Sequence, residues 1–137
     1  MPAPRLEPDF AETRARTVTL PTSAASPWLS RQLLAQWCRE WSVDDSVVDE
    51  AMVVISELVT ECVAAGAPLV SLRASLGADQ LELAVAGTAP AGLPVPPDED
   101  TAGHRMDIVR GLGTSVEVRP SAEGRTVVVA VPLCRAP

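Results

Sequence analysis

Glu57 and Glu61 are the residues whose spacing in this sequence is best suited to chemistry. They stand four positions apart in a segment with helical periodicity, so their carboxylates project from one face of the helix. Like charges at this spacing cost an isolated helix a few tenths of a kcal/mol. The pair is therefore either a solvated helix face or a site.

Residue types that are scarce in the sequence exclude several familiar chemistries. All 11 Lys and Arg positions are Arg, which rules out a P-loop lysine and a Schiff-base lysine. His104 is the single histidine, so a two-histidine metal site is also excluded. Cys38, Cys62 and Cys134 lack CxxC spacing and are predicted to be buried free thiols.

The length and the charge of the chain limit the number of domains it can form and the kinds of partner it can bind. With 137 residues, 47% of them apolar, the sequence predicts one packed domain. The net charge of −7 argues against a nucleic-acid backbone as partner and suits a basic protein surface. Because no apolar segment resembles a signal peptide or a membrane span, we expect a cytoplasmic protein without a membrane partner.

Two helices are predicted to carry the candidate residues, after a strand over 15–20. The first begins with Ser26 as N-cap and Pro27 in its first turn. Its predicted apolar stripe consists of Leu29, Leu33, Leu34, Trp37 and Trp41. The second helix begins between residues 42 and 45 and ends at Ala65, with Gly66 at the C-cap. Its predicted buried stripe is Val47, Ala51, Val54, Ile55, Leu58, Cys62 and Val63.

The second half of the chain predicts two hairpins separated by a long loop. Alternating apolar residues indicate strands over 70–75 and 81–86, and again over 115–118 and 126–131. Between the hairpins, a proline-rich loop over 87–102 precedes a short helix over 105–110. With residues 1–13 as a flexible arm, this order predicts an α/β (α+β) two-layer sandwich. Its helices would pack on one face of a mixed, mostly antiparallel sheet.

The run Ser56-Glu57-Leu58-Val59-Thr60, followed by these elements and by Gly124-Arg125-Thr126-Val127, resembles one known family. Over about residues 15–133 the chain is similar to the anti-sigma-factor serine kinases, within the histidine-kinase-like (GHKL) ATPases. The resemblance implies a Bergerat-type fold, with a single histidine-kinase-like ATPase domain over 14–134. It also implies that Gly124–Val127 belongs to a mostly structural hairpin.

The resemblance also assigns candidate nucleotide-binding positions. Glu57 matches the glutamate that polarises the attacking hydroxyl or water, and Glu61 stands where the family has a Mg²⁺-binding asparagine. Gly87 stands where an aspartate accepts a hydrogen bond from the adenine amino group, and glycine lacks that acceptor. In the phosphate-binding Gly-x-Gly, here Gly103-His104-Arg105, one glycine remains and Arg105 replaces the other.

Three altered positions together predict a regulatory protein-interaction domain that resembles an anti-sigma factor but has lost ATP binding and kinase activity. No cofactor is expected. The resemblance implies a role in bacterial transcriptional or developmental regulation, with a sigma factor, an anti-sigma antagonist or another regulatory protein as partner. A homodimer through the tryptophan-rich first helix is a further expectation.

Two alternatives remain open from the sequence. One is an active serine kinase that binds ATP and Mg²⁺, with Glu57 as base and Glu61 as metal ligand. The other is a small-ligand sensor in which Arg105 and the 87–102 loop close over a different molecule.

Overall fold

The computed structural model describes residues 14–88, 109, 111, 115–121 and 124–133. Two helices and five strands lie within these residues. In chain order they are β1 (Ala15–Pro21), α1 (Ser26–Glu40), α2 (Asp45–Ala64), β2 (Leu69–Leu76), β3 (Gln80–Thr88), β4 (Ser115–Ser121) and β5 (Gly124–Pro132). The predicted strands and hairpins are confirmed, with ends that differ by a few residues.

The five strands form one sheet in the order β1-β2-β3-β5-β4. Every pairing among the described strands is antiparallel. The architecture is therefore α+β, and the prediction of a mixed sheet was wrong.

The helical connection between β1 and β2 explains the antiparallel sheet. Pro21, at the end of β1, pairs with Leu69, at the start of β2. Thr22 continues this contact, since its N–H donates to the carbonyl of Pro68 at 3.1 Å. A single crossover helix would carry the chain to the far end of the sheet, whereas α1 and α2 run out and back. The chain thus returns to the end it left, and β2 runs opposite to β1.

The start of α1 differs from the prediction by one residue. Ala25 is the N-cap, and Ser26 is the first helical residue. The Ser26 hydroxyl accepts a hydrogen bond from the N–H of Ser23 at 2.8 Å, which precedes the helix. Ser26 therefore fixes the turn that enters α1, and its side chain caps no helical N–H.

The buried face of α1 also differs from the predicted stripe. Its fully buried residues are Ser26, Ser30, Leu34 and Cys38. Leu29 is 37% exposed, and Trp28, on the same helix, is 56% exposed. Of the predicted stripe, Leu34 is buried and Trp37 and Trp41 pack against the core, so the prediction is confirmed in part. The apolar periodicity missed the first part of the innermost row because serines occupy it. The Ser30 hydroxyl, for example, donates to the carbonyl of Ser26 at 2.7 Å.

Both helices end in a Schellman motif, with a left-handed residue just beyond the helix. After α1 this residue is Ser42, at φ 56°. The N–H of Val43 donates to the carbonyl of Cys38 at 3.0 Å. After α2 the residue is Gly66, at φ 79°, which confirms the predicted glycine at the helix end. There the N–H of Ala67 donates to the carbonyl of Cys62 at 3.2 Å.

The core lies between the helices and one face of the sheet, and α2 crosses β3 and β5. From α2 the buried residues are Val47, Ala51, Val54, Ile55, Leu58, Val59 and Glu61. The predicted stripe is largely confirmed, but Cys62 and Val63 are only half-buried, and the charged Glu61 is inside. Val109, within the predicted short helix, is helical and fully buried.

Several predictions lie outside the described residues: the arm over 1–13, most of the 87–102 loop, most of the short helix, and Cys134. Neither helix in the described part of the chain has the length and apolar character needed to cross a membrane.

Candidate functional site

An ion pair between α2 and β5 forms the centre of the candidate site. Glu61, in the last turn of α2, accepts a hydrogen bond at Oε1 from Nη2 of Arg125, 3.0 Å away. The Glu61 side chain is 8% exposed, whereas that of Arg125 is 47% exposed. A buried carboxylate beside a half-exposed guanidinium is stabilised by a charge-assisted hydrogen bond. The residue expected to bind Mg²⁺ thus faces a protein cation.

Gly87, the position expected to face adenine, lies against α2 and the segment that follows it. A Cβ atom at residue 87 would lie 2.9 Å from Cβ of Ala67 and 3.4 Å from Sγ of Cys62. The first distance is shorter than folded proteins tolerate between carbon atoms. Glycine is therefore required at this point because the chain after α2 approaches β3 closely.

Cys62 lies between these two features and has a strongly perturbed thiol. Burial, together with the negative charge of Glu61, raises the pKa of Cys62 to about 12, and Arg125 acts in the opposite direction. Burial alone raises the pKa of Cys38 to about 11. Both groups are thiols at neutral pH. Cys38 and Cys62 are free thiols, as predicted, although Cys62 is only half-buried. The raised pKa makes Cys62 a weak nucleophile at neutral pH.

The other residues of the Ser56–Thr60 run take part in helix structure and core packing. Nη1 of Arg31 on α1 donates to Oγ of Ser56 at 2.8 Å. The Thr60 hydroxyl donates to the carbonyl of Ser56 at 2.7 Å. Leu58 and Val59 are buried in the core. Most of the motif that carries the family resemblance is thus used in helix packing.

Glu57 is half-buried on α2, one turn before Glu61. Glu61 and Gly87 both lie beside the C-terminal end of α2, and Glu57 lies one turn earlier on that helix. Gly103, His104 and Arg105, the expected phosphate-binding positions, lie outside the described residues.

Arg125 is the site residue that the sequence reasoning missed, because Gly124–Val127 was interpreted as structural. The signal was nevertheless present. Val127, Val129 and Val131 alternate on the core side of β5, and Arg125 is in phase with them. An arginine in phase with a buried row needs an acidic partner. Glu61, in phase with Val54 and Leu58 on α2, supplies it.

Comparison with protein-family models gives no match, and neither does a search of the curated proteins.

These contacts decide how well the described residues would fit Mg²⁺ and ATP. Nowhere in residues 14–88, 109, 111, 115–121 and 124–133 do three His, Cys, Asp or Glu side chains cluster as metal ligands. Arg125 places a positive charge at the Glu61 carboxylate, where a cation would have to bind. Residue 87 has neither an acceptor for adenine nor space for one. The described site fits a structural ion pair better than a magnesium-nucleotide complex.

Proposed function

We propose that this chain is a non-catalytic regulatory domain that binds a partner protein and has lost ATP binding and kinase activity. The observation that carries the proposal is the ion pair between Glu61 and Arg125 at 3.0 Å. The guanidinium supplies the positive charge that Mg²⁺ would otherwise bring to this carboxylate. Because the arginine already neutralises the carboxylate, a metal ion would add little stabilisation, and its binding would break the ion pair.

The packing around Gly87 supports the same proposal by an independent route. An adenine-binding acceptor at residue 87 would require Ala67 and Cys62 to move away from β3. Because Ala67 is held by the Schellman motif after α2, such a shift would disturb the end of that helix. Loss of the acceptor therefore agrees with the local backbone packing.

The proposed partner is a sigma factor, an anti-sigma antagonist or another regulatory protein in a bacterial cytoplasm, on the strength of the family resemblance stated above. The net charge of −7 favours a partner with a basic surface, through faster and more selective association. The Bergerat-type fold and the homodimer through α1 are part of this proposal. The exposed Trp28 and Leu29 give α1 an apolar surface for self-association.

Isothermal titration of the full chain with ATP and ADP, each with and without Mg²⁺, tests the loss of nucleotide binding. We expect no saturable heat up to millimolar nucleotide. The variant Glu61→Asn/Arg125→Ala, which recreates the family's asparagine and removes the competing cation, serves as a comparison. Saturable, Mg²⁺-dependent heat with the parent chain would overturn the proposal in favour of the active kinase.

Partner binding is tested separately. Each sigma factor of the source organism is immobilised, and the chain is applied with and without Mg²⁺-ATP. The proposal requires that at least one of these proteins, or its known antagonist, binds the chain and that nucleotide leaves the affinity unchanged. An affinity that depends on nucleotide would contradict it.

A further inference from the structure

An open cleft of about 230 Å³ lies where the α1–α2 turn meets one end of the sheet. Its apolar walls are Val43 and Val47 on the helical side and Leu76 and Leu133 on the sheet side. We call it the turn cleft. A pocket of this size is smaller than the roughly 300–1,000 Å³ of typical small-molecule sites. It is better suited to one apolar side chain from a protein segment, as in interfaces where an anchor fills a pocket.

The turn cleft is remote from the ion pair of the candidate site. Leu76, which lines the cleft, pairs with Leu81 at the start of β3. Gly87, beside the ion pair, pairs with Val70 at the opposite end of the same two strands. The two features therefore lie at opposite ends of the sheet, so that binding at one leaves the other accessible.

The mouth of the cleft carries an exposed acidic residue, which is also the N-cap of α2. Asp44 lines the cleft, and its side chain is exposed. The ion pairs of the described residues are Arg16–Glu40, Arg119–Glu117 and Arg125–Glu61, and Asp44 takes part in none of them. Asp45 and Asp49, both exposed, follow on the first turns of α2. A positive group is the complement of this rim.

Arg16 on β1, which lies beside the cleft-lining Trp41, already has an acidic partner. The guanidinium of Arg16 lies 3.2 Å from the carboxylate of Glu40 and 5.8 Å from the ring centre of Trp41, which also lines the cleft. Arg16 thus neutralises Glu40 and covers one face of the tryptophan. Arg16 is therefore not the partner of Asp44.

We propose that the turn cleft is a docking site for a basic, apolar segment of a partner protein. The segment inserts one leucine or phenylalanine between Val47 and Leu133 and places a neighbouring Arg or Lys against Asp44. The inference rests on the proposed function, since it names the surface and the chemistry by which a partner protein is recognised.

The test is an NMR titration of the isotope-labelled full chain with three synthetic, end-blocked peptides. They are Gly-Arg-Leu-Arg-Gly, its acidic counterpart Gly-Glu-Leu-Glu-Gly, and Gly-Arg-Ser-Arg-Gly, which lacks the apolar anchor. We expect saturable shifts of the Val43, Asp44 and Leu133 amides with the first peptide. Removing the anchor or reversing the peptide charge should weaken binding at least about fivefold.

Asp44→Arg should weaken the binding of Gly-Arg-Leu-Arg-Gly by a similar factor. Glu117→Arg, with the same charge change on β4, is the matched control and should leave the affinity unchanged. Circular dichroism verifies that both variants fold. A further variant, Leu133→Ala, removes part of the apolar wall and should also weaken the binding of the peptide.

No saturable shift, shifts confined to other residues, or equal effects of Asp44→Arg and Glu117→Arg would overturn the proposal. Mg²⁺-ATP binding at Glu61 would instead overturn the proposed loss of nucleotide binding and leave this result intact.

Discussion

Arg125 stands directly opposite Gly87 in the pairing of β3 with β5, and both positions face the helical layer. Gly87 allows the chain after α2 to approach the sheet, and Arg125 extends from the next strand to the buried carboxylate of Glu61. The missing side chain and the long cation are therefore neighbouring parts of one packing arrangement. A change at either position acts on the same end of α2.

Removing the cation from the ion pair should destabilise the fold. Arg125→Ala deprives a buried carboxylate of its charged donor, and we expect a loss of about 1–3 kcal/mol, reduced by the partial exposure of the arginine. Combined with Glu61→Gln in a double-mutant cycle, it should show a coupling energy above about 0.5 kcal/mol. Urea unfolding gives the free energy of unfolding of each variant. Arg119→Ala, in the exposed pair with Glu117, is the control and should leave the stability unchanged.

A methyl group at residue 87 should be poorly tolerated. Gly87→Ala places its Cβ 2.9 Å from that of Ala67, and we expect a cost of about 1–3 kcal/mol from overpacking. Because the clash involves one methyl group, Gly87→Ala/Ala67→Gly should recover part of the loss. Thermal unfolding of the single and double variants measures this. Additive effects of the two substitutions would contradict the close contact.

The residues just beyond α1 and α2 are both left-handed, but one is a serine and the other a glycine, so exchanging them should have opposite effects on stability. Ser42 holds a left-handed conformation that glycine adopts without cost, so Ser42→Gly should stabilise the fold by about 0.5–1 kcal/mol. Gly66→Ala should destabilise it by about 1 kcal/mol. Chemical denaturation compares both variants with the parent. Destabilisation by Ser42→Gly would show that the serine hydroxyl contributes more than the backbone strain removes.

The perturbed thiols predict a loss of stability in alkali. Because the folded state holds the pKa of Cys62 at about 12, above the ordinary 9.0, it favours the protonated thiol. This contribution is complete below pH 9 and is lost as the pH rises towards 12. The free energy of unfolding should therefore fall above pH 9, and less steeply in Cys62→Ala.

The reactivity of Cys62 tests the electrostatic cause. Glu61→Gln removes a negative charge that raises the pKa, so Cys62 should react faster with iodoacetamide from about pH 8 to about pH 10. Peptide mass spectrometry follows Cys62 separately from the other cysteines. An unchanged rate at Cys62 would exclude Glu61 as a cause of the perturbed pKa.

Periodicity and turn residues in the sequence were sufficient to predict the strands, the two hairpins and the length of α2. Alternating apolar residues and the glycine after α2 are local signals, and the structure follows them. The face of α1 was predictable only in part, through Leu34, Trp37 and Trp41. Its inner row contains Ser26 and Ser30, whose hydroxyls bond to nearby main-chain groups and so can be buried.

The candidate site required tertiary information. Glu61 and Gly87 were singled out in the sequence, but the partner of the first and the close neighbour of the second come from distant segments. The alternation of residues along β5 puts Arg125 on the same face as the buried valines. Only the strand order, however, places β5 beneath the end of α2. The antiparallel course of β2 follows from how two helices return the chain, and the two helices themselves were predicted from the sequence.

The return of the chain through α1 and α2 to the end of β1 also affects how the protein folds. The pairing of Pro21 with Leu69 joins strands separated by residues 22–68, whereas β2–β3 and β4–β5 close through short turns. Closing a long loop costs entropy that local contacts must first offset. If α1 and α2 form their hairpin early, they bring residues 21 and 69 together, and β1 can add to the sheet last. Destabilising the Arg31–Ser56 contact between the helices should then slow folding more than substitutions in β1 do.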